Sequence, residues 1–426
     1  MPTRRPRSDP HTGRPSRFPL VTCDQAWAAL RCFTPLATEV VPVEEAAGRV
    51  LATAVRAGLD VPHFTRSYMD GYAVRARDTR DASAARPAHL RIVGSVEMGH
   101  PARRRVGRGE ALRIPTGGML PPGADAVVMV EHTHEPGDTT VAVERAATPG
   151  QHVMRRGEDV RRGQIVMRPG RRLRPHDVGA LSGIGLTRVR VHRRPRVAVI
   201  ATGDEIVPPD VTPRPGQVRN VNHYALRALI AAEGGVAVDI GVLPDDRAVI
   251  ARALARALRD ADVVLMSGGS SVGVKDHTPA VVRGLRGARV LVHGIRVKPG
   301  KPTLIARVGR RAVLGLPGNP TSALVIFELF GVPLLRRVGG EPWGRALAPR
   351  PLVSAHLAAA VASQPGREDW IRVALAEGPD GRRLARPLAG GSGEIFSFVR
   401  ADGLLRVPAE SRGLAAGARV EVRLLV

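Results

Sequence analysis

The stretch Arg196–Glu205 reads RVAVIATGDE, an apolar run that ends in glycine and two acidic residues. A strand covered on both faces is apolar along its length, whereas a strand with one solvated face alternates. The run therefore predicts an interior strand of a parallel sheet, followed by an acidic loop. From Pro195 to about Gly340 such strands alternate with amphipathic helices, which indicates a doubly wound, mostly parallel α/β domain.

The predicted order of elements in this domain follows from the apolar spacing. Asn222 is the predicted N-cap of the first helix, and Gly234 is predicted to end it. The elements are helix 220–235, strand 236–246, helix 247–261, strand 262–273, helix 277–285, strand 289–302, strand 312–320 and helix 321–338.

The rest of the chain divides by composition. At roughly 150 residues per domain, 426 residues predict about three domains. Three helices are predicted outside the α/β domain: 22–33 with Thr22 or Asp24 as N-cap, 41–55, and 175–185. The predicted organisation is a disordered basic tail (1–18), a discontinuous helical domain (19–58 with 151–194), a β module (59–150), the α/β domain (195–345) and a C-terminal β domain (346–426).

Composition excludes several classes of function. The net charge is +25, but the arginines are scattered and aromatic residues make up 3%, so a solvated surface that attracts small anions is favoured over specific nucleic-acid binding. No run approaches the ~18 apolar residues of a membrane span. The first 18 residues lack the apolar segment of a secretory signal. Cys23 and Cys32 form no metal or disulfide pattern, and we expect a cytoplasmic protein.

Lysine is rare in this chain. Against 61 arginines there are three lysines, Lys275, Lys298 and Lys301, all in loops rich in glycine and proline. A compact ammonium group can meet a small tetrahedral oxyanion as a point charge, which a planar guanidinium does less well. The alternative is chance survival of three lysines on solvated turns.

Five loops of unusual composition follow predicted strands, where ligands bind in doubly wound sheets. Glycines and hydroxyls at Ser267, Gly268, Gly269, Ser271 and Gly273 can expose N–H groups to a phosphate. Lysines can hold a second anion, and carboxylates can hold Mg²⁺. Taken singly, each loop could be a turn or a helix cap. The loops are 202–205, 243–246, 267–273, 298–302 and 316–320, and the carboxylates are Glu205, Asp245, Asp246 and Asp276.

Several motifs in order resemble one family, the molybdopterin molybdenumtransferases of the MoeA type, which includes the C-terminal domain of gephyrin. The similarity covers residues 20–426. Neither a P-loop nor a dinucleotide fingerprint competes with it. The matching motifs are RSYMDGYA (66–73), RIPTGGMLPPGADAVVMVE (113–131), RRGEDV (155–160), RPRVAVIATGDE (194–205), SGGSSVG (267–273), KPGKP (298–302) and LPGNP (316–320).

The resemblance implies a reaction and a site. Molybdate would be inserted into adenylylated molybdopterin with release of AMP, in a Mg²⁺-dependent homodimer whose cleft lies between the α/β domain of one subunit and the β module of the other. It implies catalytic roles for Asp70, Thr116, Glu205, Asp246 and Asp276, of which the last three would bind the metal. It implies substrate contacts for Lys298, Lys301, Pro302, Pro317, Gly318, Asn319, Pro320, Ser322, Arg372 and Ser392, and either a site or a packing role for Asp159.

This chain departs from the family pattern at a few positions. Ser270 replaces an apolar residue, Val274 and Lys275 replace the usual residues before Asp276, and Gly294 replaces a basic one. The charge of Lys275 either weakens Mg²⁺ binding or adds a phosphate contact. Two other functions stay open at this point: the adenylyltransferase that makes the activated pterin, here an expected partner, and a non-catalytic scaffold.

Overall fold

The computed structural model describes residues 19–268 and 277–425. The predicted basic tail lies outside the described residues. So do five members or neighbours of the predicted site: Gly269, Ser271, Gly273, Lys275 and Asp276.

The first helix, α1 (Cys23–Leu30), begins as predicted at Thr22. Thr22 Oγ1 accepts a hydrogen bond from Gln25 N at 3.2 Å, and Gln25 Oε1 accepts one from Thr22 N at 2.9 Å. This reciprocal capping box satisfies two N–H groups that the first turn leaves unpaired. The buried face of α1, with Cys23, Ala26 and Leu30, packs into the core of the α/β domain.

The helix predicted over residues 41–55 is wrong. This part of the chain forms β1 (Thr38–Pro42), a short 3₁₀ turn (Val43–Glu45) and β2 (Val55–Arg56). Pro42 and Gly48, which has φ +75°, interrupt a helix here. β1 pairs with residues 188–192, a partner too distant in sequence for local periodicity to reveal.

The β module is an all-β unit, as predicted. Its six-stranded sheet has the order β7-β4-β6-β5-β9-β8, with apolar clusters packed on it. Strand β4, which pairs with β7 on one side and β6 on the other, directly follows Asp70, so the sheet fixes the position of that residue. The strands of the sheet are β4 (Gly71–Val74), β5 (Ala88–Ser95), β6 (Glu110–Ile114), β7 (Ala126–Met129), β8 (Thr133–Gly137) and β9 (Thr140–Val143), and β3 (Arg66–Ser67) precedes them outside this sheet.

The chain then returns to pair with its own beginning. β10 pairs with β3, β11 with β2 and β12 with β1, all antiparallel. Helix α2 occupies the predicted position, but the helical character predicted for this discontinuous unit is wrong, because paired strands make up much of it. The elements are β10 (Val153–Met154), β11 (Ile165–Met167), α2 (Pro175–Gly183) and β12 (Arg188–His192).

The α/β domain has a six-stranded sheet of order β16-β13-β17-β21-β20-β18. Alternate residues of β13 enter two different apolar clusters, so both faces are covered by helices as predicted. The elements are β13 (Arg196–Thr202), β14 (Ile206–Val207), β15 (Val218–Arg219), α3 (Asn222–Ala232), β16 (Val236–Leu243), α4 (Arg247–Asp260), β17 (Val263–Ser267), α5 (Thr278–Gly284), β18 (Ala288–His293), β19 (Val297–Lys298), β20 (Leu304–Val308), β21 (Arg311–Leu316), α6 (Pro320–Ile326) and α7 (Val332–Val338), with a π-helical turn at Phe327–Gly331.

Two features of this sheet differ from the prediction. The single strand predicted over 289–302 is two strands, because β18 stays in the central sheet while β19 pairs with the C-terminal domain. Strand β20 was not predicted; it runs antiparallel to both β18 and β21. As a result, β18 runs in the same direction as the four parallel strands.

The C-terminal domain is a closed β structure, in agreement with the predicted β domain. The order β24-β25-β22-β28-β26 returns to β24, which makes a barrel without free edges. Its elements, after α8 (Trp343–Ala346), are β22 (Leu352–Leu357), β23 (Val361–Ala362), β24 (Glu368–Glu377), β25 (Arg383–Pro387), α9 (Ile395–Val399), β26 (Gly403–Val407), β27 (Gly413–Leu414) and β28 (Arg419–Leu424). In the described part of the chain, no helix is long and apolar enough to cross a bilayer.

Candidate active site

The loops singled out in the sequence begin at one edge of the central sheet. Strands β13, β16, β17 and β21 are parallel, and β18 runs with them, so the loops after all five leave at the carboxyl edge. The first two loops also touch, because Asp245 N donates to Asp204 Oδ1 at 3.0 Å.

Asn222 connects two of these loops. It is the first residue of α3 and not its cap, so the predicted N-cap is wrong; Asn220 Oδ1 accepts the hydrogen bond from His223 N at 3.2 Å instead. The Asn222 amide donates to Ser267 Oγ at 2.6 Å and to the Gly318 carbonyl at 2.7 Å. Its place in the middle of NVNHY gave no signal beyond helix capping, so its role was missed.

The start of the glycine loop is tightly packed. Ser267 is buried, and Gly268 has φ +107°, a conformation that glycine tolerates best. A Cβ at Gly268 would lie 2.3 Å from the carbonyl oxygen of Thr202, the last residue of β13. Thr202 Oγ1 and Asn222 Oδ1 are buried and have no hydrogen-bond partner among the described residues.

The C-terminal domain reaches the loop after β21 through Ser392. Asn319 Nδ2 donates to Ser392 Oγ at 2.8 Å, and Thr321 donates to the Ser392 carbonyl from its N–H at 3.1 Å and its hydroxyl at 2.6 Å. Ser392 therefore lies beside the start of α6, where Ser322 is buried in the first turn. Pro317 is buried and Pro320 begins α6.

Arg372 holds the segment that carries Ser392. Its guanidinium donates to the Gly390 carbonyl at 2.6 Å, to the Gly391 carbonyl at 3.4 Å and to the Ser397 hydroxyl. Burial lowers the pKa of Arg372, although the nearby charge of Glu394 opposes the shift. Because none of these three bonds is to a carboxylate, the positive charge is not neutralised by them.

The lysine loop lies against the other end of α6. Lys298 is exposed and belongs to β19, which pairs with Glu368–Asp369 of the barrel. A Cβ at Gly300 would lie 2.3 Å from Ile326 Cδ1, so the loop packs closely on the helix. Lys301 and Pro302 are half-buried. From Pro320 to Ile326 the helix rises about 9 Å, which sets the spacing of the two loops.

The carboxylates of the acidic loops have distinct surroundings. Asp246 caps α4, because Oδ1 accepts from Val249 N at 2.8 Å, and this hydrogen bond is the main cause of its lowered pKa. The helix-cap alternative is thus confirmed for Asp246. Glu205 is exposed. Within residues 19–268 and 277–425 no three His, Cys, Asp or Glu side chains are grouped as a metal site; Asp276, the third predicted ligand, lies outside them.

The β module brings Asp70 and Thr116 together. Asp70 Oδ1 accepts a hydrogen bond from Thr116 N at 2.7 Å. The two residues lie beside a cavity of about 310 Å³ that Asp70, Tyr72 and Arg113 help to line. Asp159 is exposed at the junction between this module and the paired linker strands, where its N–H donates to the Val61 carbonyl at 3.1 Å.

Glu135, which the sequence analysis did not identify, bonds two residues that line this cavity, Tyr72 and Arg113. Glu135 accepts two hydrogen bonds from Arg113, at 2.8 and 2.6 Å, and a third from the Tyr72 hydroxyl. Mainly because of Arg113, the pKa of Glu135 falls to about 2. Burial and the contact with Glu135 raise the pKa of Tyr72. This network fixes the strand pair that presents Asp70.

Comparison with known proteins identifies the family. The MoeA N-terminal region matches residues 21–185, a probable molybdopterin-binding domain matches 198–337, and the MoeA C-terminal region matches 354–425. A molybdopterin molybdenumtransferase of Haemophilus influenzae is 32% identical over 407 residues, 95% of this chain and 98% of the relative. The chain belongs to the MoeA family.

Other MoeA-family proteins agree with this assignment. A molybdopterin molybdenumtransferase of a Nostoc strain is 36% identical over 306 residues, 71% of this chain and 70% of the relative. The crystal structure of a molybdopterin biosynthesis MoeA protein from Pyrococcus horikoshii superposes with a TM-score of 0.81 at 32% identity, covering 96% of this chain and 100% of that one. The resemblance seen in the sequence and the predicted fold class are confirmed.

Proposed function

We propose that this chain is a molybdopterin molybdenumtransferase: it transfers molybdate to the dithiolene of adenylylated molybdopterin and releases AMP, the final step of molybdenum cofactor synthesis. The observation that carries the proposal is the arrangement around α6. One end of the helix meets the loop bonded to Asn222 and Ser392, and the other end packs against the lysine loop. The residues proposed to contact molybdate thus lie at both ends of one short helix, and Asn222 connects the first end to Ser267, where the proposed phosphate loop begins.

The side chains around α6 suit a dianion and a phosphate group. Lys298, Lys301 and Arg372 supply positive charge, and the Ser392 hydroxyl supplies a donor for molybdate. The loop that begins at Ser267 offers backbone N–H groups for phosphate. Binding both anions at one edge of a rigid sheet would hold the two substrates close together, and this proximity would accelerate the reaction between them.

Mg²⁺ belongs to this proposal. Glu205 and Asp246, with Asp276, would hold it, and carboxylate oxygens are the ligands that Mg²⁺ prefers. The first two stand on loops that the Asp204–Asp245 hydrogen bond joins. When bound, the ion would neutralise phosphate charge beside the glycine loop.

We also propose a homodimer in which the β module of one protomer completes the cleft of its partner. Large apolar side chains are exposed around Asp70 and Thr116, namely Tyr68, Met69, Met98 and Val130, and such patches mark interfaces. A two-fold axis would place this surface over the α/β loops of the second copy. The adenylyltransferase that supplies the substrate is a further proposed partner, in the cytoplasm, where the free thiols Cys23 and Cys32 stay reduced.

Titration calorimetry with molybdate tests the anion site. Lys298→Ala and Lys301→Ala are each expected to weaken molybdate binding by about 10- to 150-fold, the equivalent of one charged hydrogen bond of roughly 1.5–3 kcal/mol. Arg289→Ala removes one exposed positive charge from β18, outside the loops, and serves as the matched control. Equal affinity for the lysine variants and the control would contradict the assignment.

Mixed dimers test the shared cleft. Asp70→Ala and Lys298→Ala homodimers are each expected to be inactive. In a random mixture half of the dimers are heterodimers, and one of the two clefts in each carries neither substitution, so activity should return to about a quarter of the wild-type level. Co-expression with two different affinity tags allows the heterodimer to be purified and assayed. A heterodimer as inactive as its parents would place both residues in a cleft of one protomer.

A further inference from the structure

Asn222 is buried beside the ends of two neighbouring strands, and its Nδ2 group donates two hydrogen bonds there. Its two hydrogen bonds, of 2.6 Å to Ser267 Oγ and 2.7 Å to the Gly318 carbonyl, go to the last residue of β17 and to the loop after β21. These strands are adjacent in the sheet. One side chain therefore sets the separation of Ser267, where the glycine loop begins, from Gly318 in the loop after β21.

Helix capping does not account for this residue. The hydrogen bond to the first turn of α3 comes from Asn220, and no hydrogen bond joins the Asn222 side chain to its own helix. A side chain placed only to start a helix would turn back to the N–H groups of that helix. The Asn222 side chain instead faces the sheet edge.

Two acceptors beside these strand ends have no partner among the described residues. Asn222 Oδ1 and Thr202 Oγ1 accept no hydrogen bond there, and both residues are buried, with 8% and 3% of their surface exposed. Leaving a buried polar atom unpaired costs roughly 1–3 kcal/mol, so such atoms are rare unless function retains them. Both belong to residues in contact with Ser267 or Gly268, where the glycine loop begins.

We infer that Asn222 is a positioning residue for the reaction: it holds Ser267, at the end of β17, and Gly318, after β21, in one geometry, and its Oδ1 and the Thr202 hydroxyl gain partners when substrate binds. The inference rests on the proposed function for its link to catalysis. The hydrogen bonds of Asn222 to Ser267 and Gly318 are contacts within the protein, so they do not depend on the identity of the substrate.

Four variants of the full-length protein test the role: Asn222→Ala, Asn222→Asp, Ser267→Ala and the double variant Asn222→Ala/Ser267→Ala. For molybdenum insertion, Asn222→Ala is expected to lower kcat by about 10- to 100-fold, the effect of displacing a reacting group by about 1 Å, while KM changes less. Asn222→Asp has the same size but no amide hydrogens, and should lose as much. Because Asn222 acts through Ser267, the double variant should lose no more than the worse single variant.

Asn220→Ala is the matched control, since it removes the hydrogen bond to the same helix without touching either loop. It should lower the melting temperature and leave kcat within about twofold of wild type. If the kcat losses of Asn222→Ala and Ser267→Ala add fully, or if Asn222→Ala keeps wild-type kcat, the inference is wrong.

Calorimetric titration with AMP separates this inference from the proposed function. AMP should bind the wild-type chain and bind Asn222→Ala about tenfold more weakly, with Asn220→Ala unchanged. A wild-type chain that binds AMP in this pattern but inserts no molybdenum would overturn the proposed reaction and keep the positioning role. AMP affinity that is absent in the wild type, or equal in all variants, overturns the positioning role.

Discussion

Gly268→Ala is expected to reduce kcat/KM for molybdenum insertion by at least about 100-fold, because it moves the start of the glycine loop. The added Cβ would lie 2.3 Å from the carbonyl oxygen of Thr202, the last residue of the interior strand β13. Gly268 also has φ +107°, which is strained for alanine. A strained residue of this kind costs roughly 1–3 kcal/mol, so the free energy of unfolding should fall as well. Steady-state kinetics and urea denaturation measure the two effects.

A second glycine in the same domain provides the control. A Cβ at Gly284, the last residue of α5, meets nothing within 4 Å, and its φ is not in the left-handed region. Gly284→Ala should keep kcat/KM within about twofold and change the free energy of unfolding by less than about 1 kcal/mol. If Gly268→Ala behaves like Gly284→Ala, the close packing of the loop on Thr202 does not control activity.

Arg350→Met is expected to lower the free energy of unfolding by about 3–5 kcal/mol, because it leaves the buried Glu328 carboxylate without its guanidinium partner, while Glu233 keeps Arg336. Arg350 donates to both oxygens of Glu328, at 2.7 and 2.9 Å, and lies 2.9 Å from Glu233. All three side chains are buried. Burial alone would lower the pKa of Arg350, but Glu328 and Glu233 outweigh it, so the net pKa is raised.

Two comparisons isolate the buried cluster. Arg382→Met breaks an exposed pair with Asp380 and should cost no more than about 1 kcal/mol in urea denaturation. Adding Glu328→Gln to Arg350→Met removes the stranded charge and should recover part of the lost stability. Equal losses for Arg350→Met and Arg382→Met would show that the cluster contributes little.

The sequence was sufficient where local pattern determines structure. The continuous apolar run of β13 and the helical spacing of α4 predicted the α/β domain, and Thr22 was one of the two predicted N-caps of α1. The five loops at the sheet edge followed from strand direction alone. The family resemblance then named Asp70 and Thr116 as site residues. Neither the composition nor the spacing of the motifs could predict the hydrogen bond between them.

The sequence was insufficient where a distant partner determines structure. Residues 41–55 carry helix-like spacing, yet β1 is a strand because β12 is there to pair with it. Asn222 was assigned to its own helix because its true partners, Ser267 and Gly318, come from other strands. Glu135 and Arg350 likewise gain their roles from residues brought close by the fold. Domain boundaries and the roles of most site residues stay predictions.

Strand β19 has a mechanical consequence. Its two residues, Val297 and Lys298, pair with Glu368 and Asp369 of the barrel. Gly300, two residues further on, packs against α6 of the α/β domain. A rotation of the barrel relative to the α/β domain would therefore displace the ammonium group of Lys298 relative to α6. The anion site proposed at Lys298 therefore depends on the orientation of the C-terminal domain, through β19.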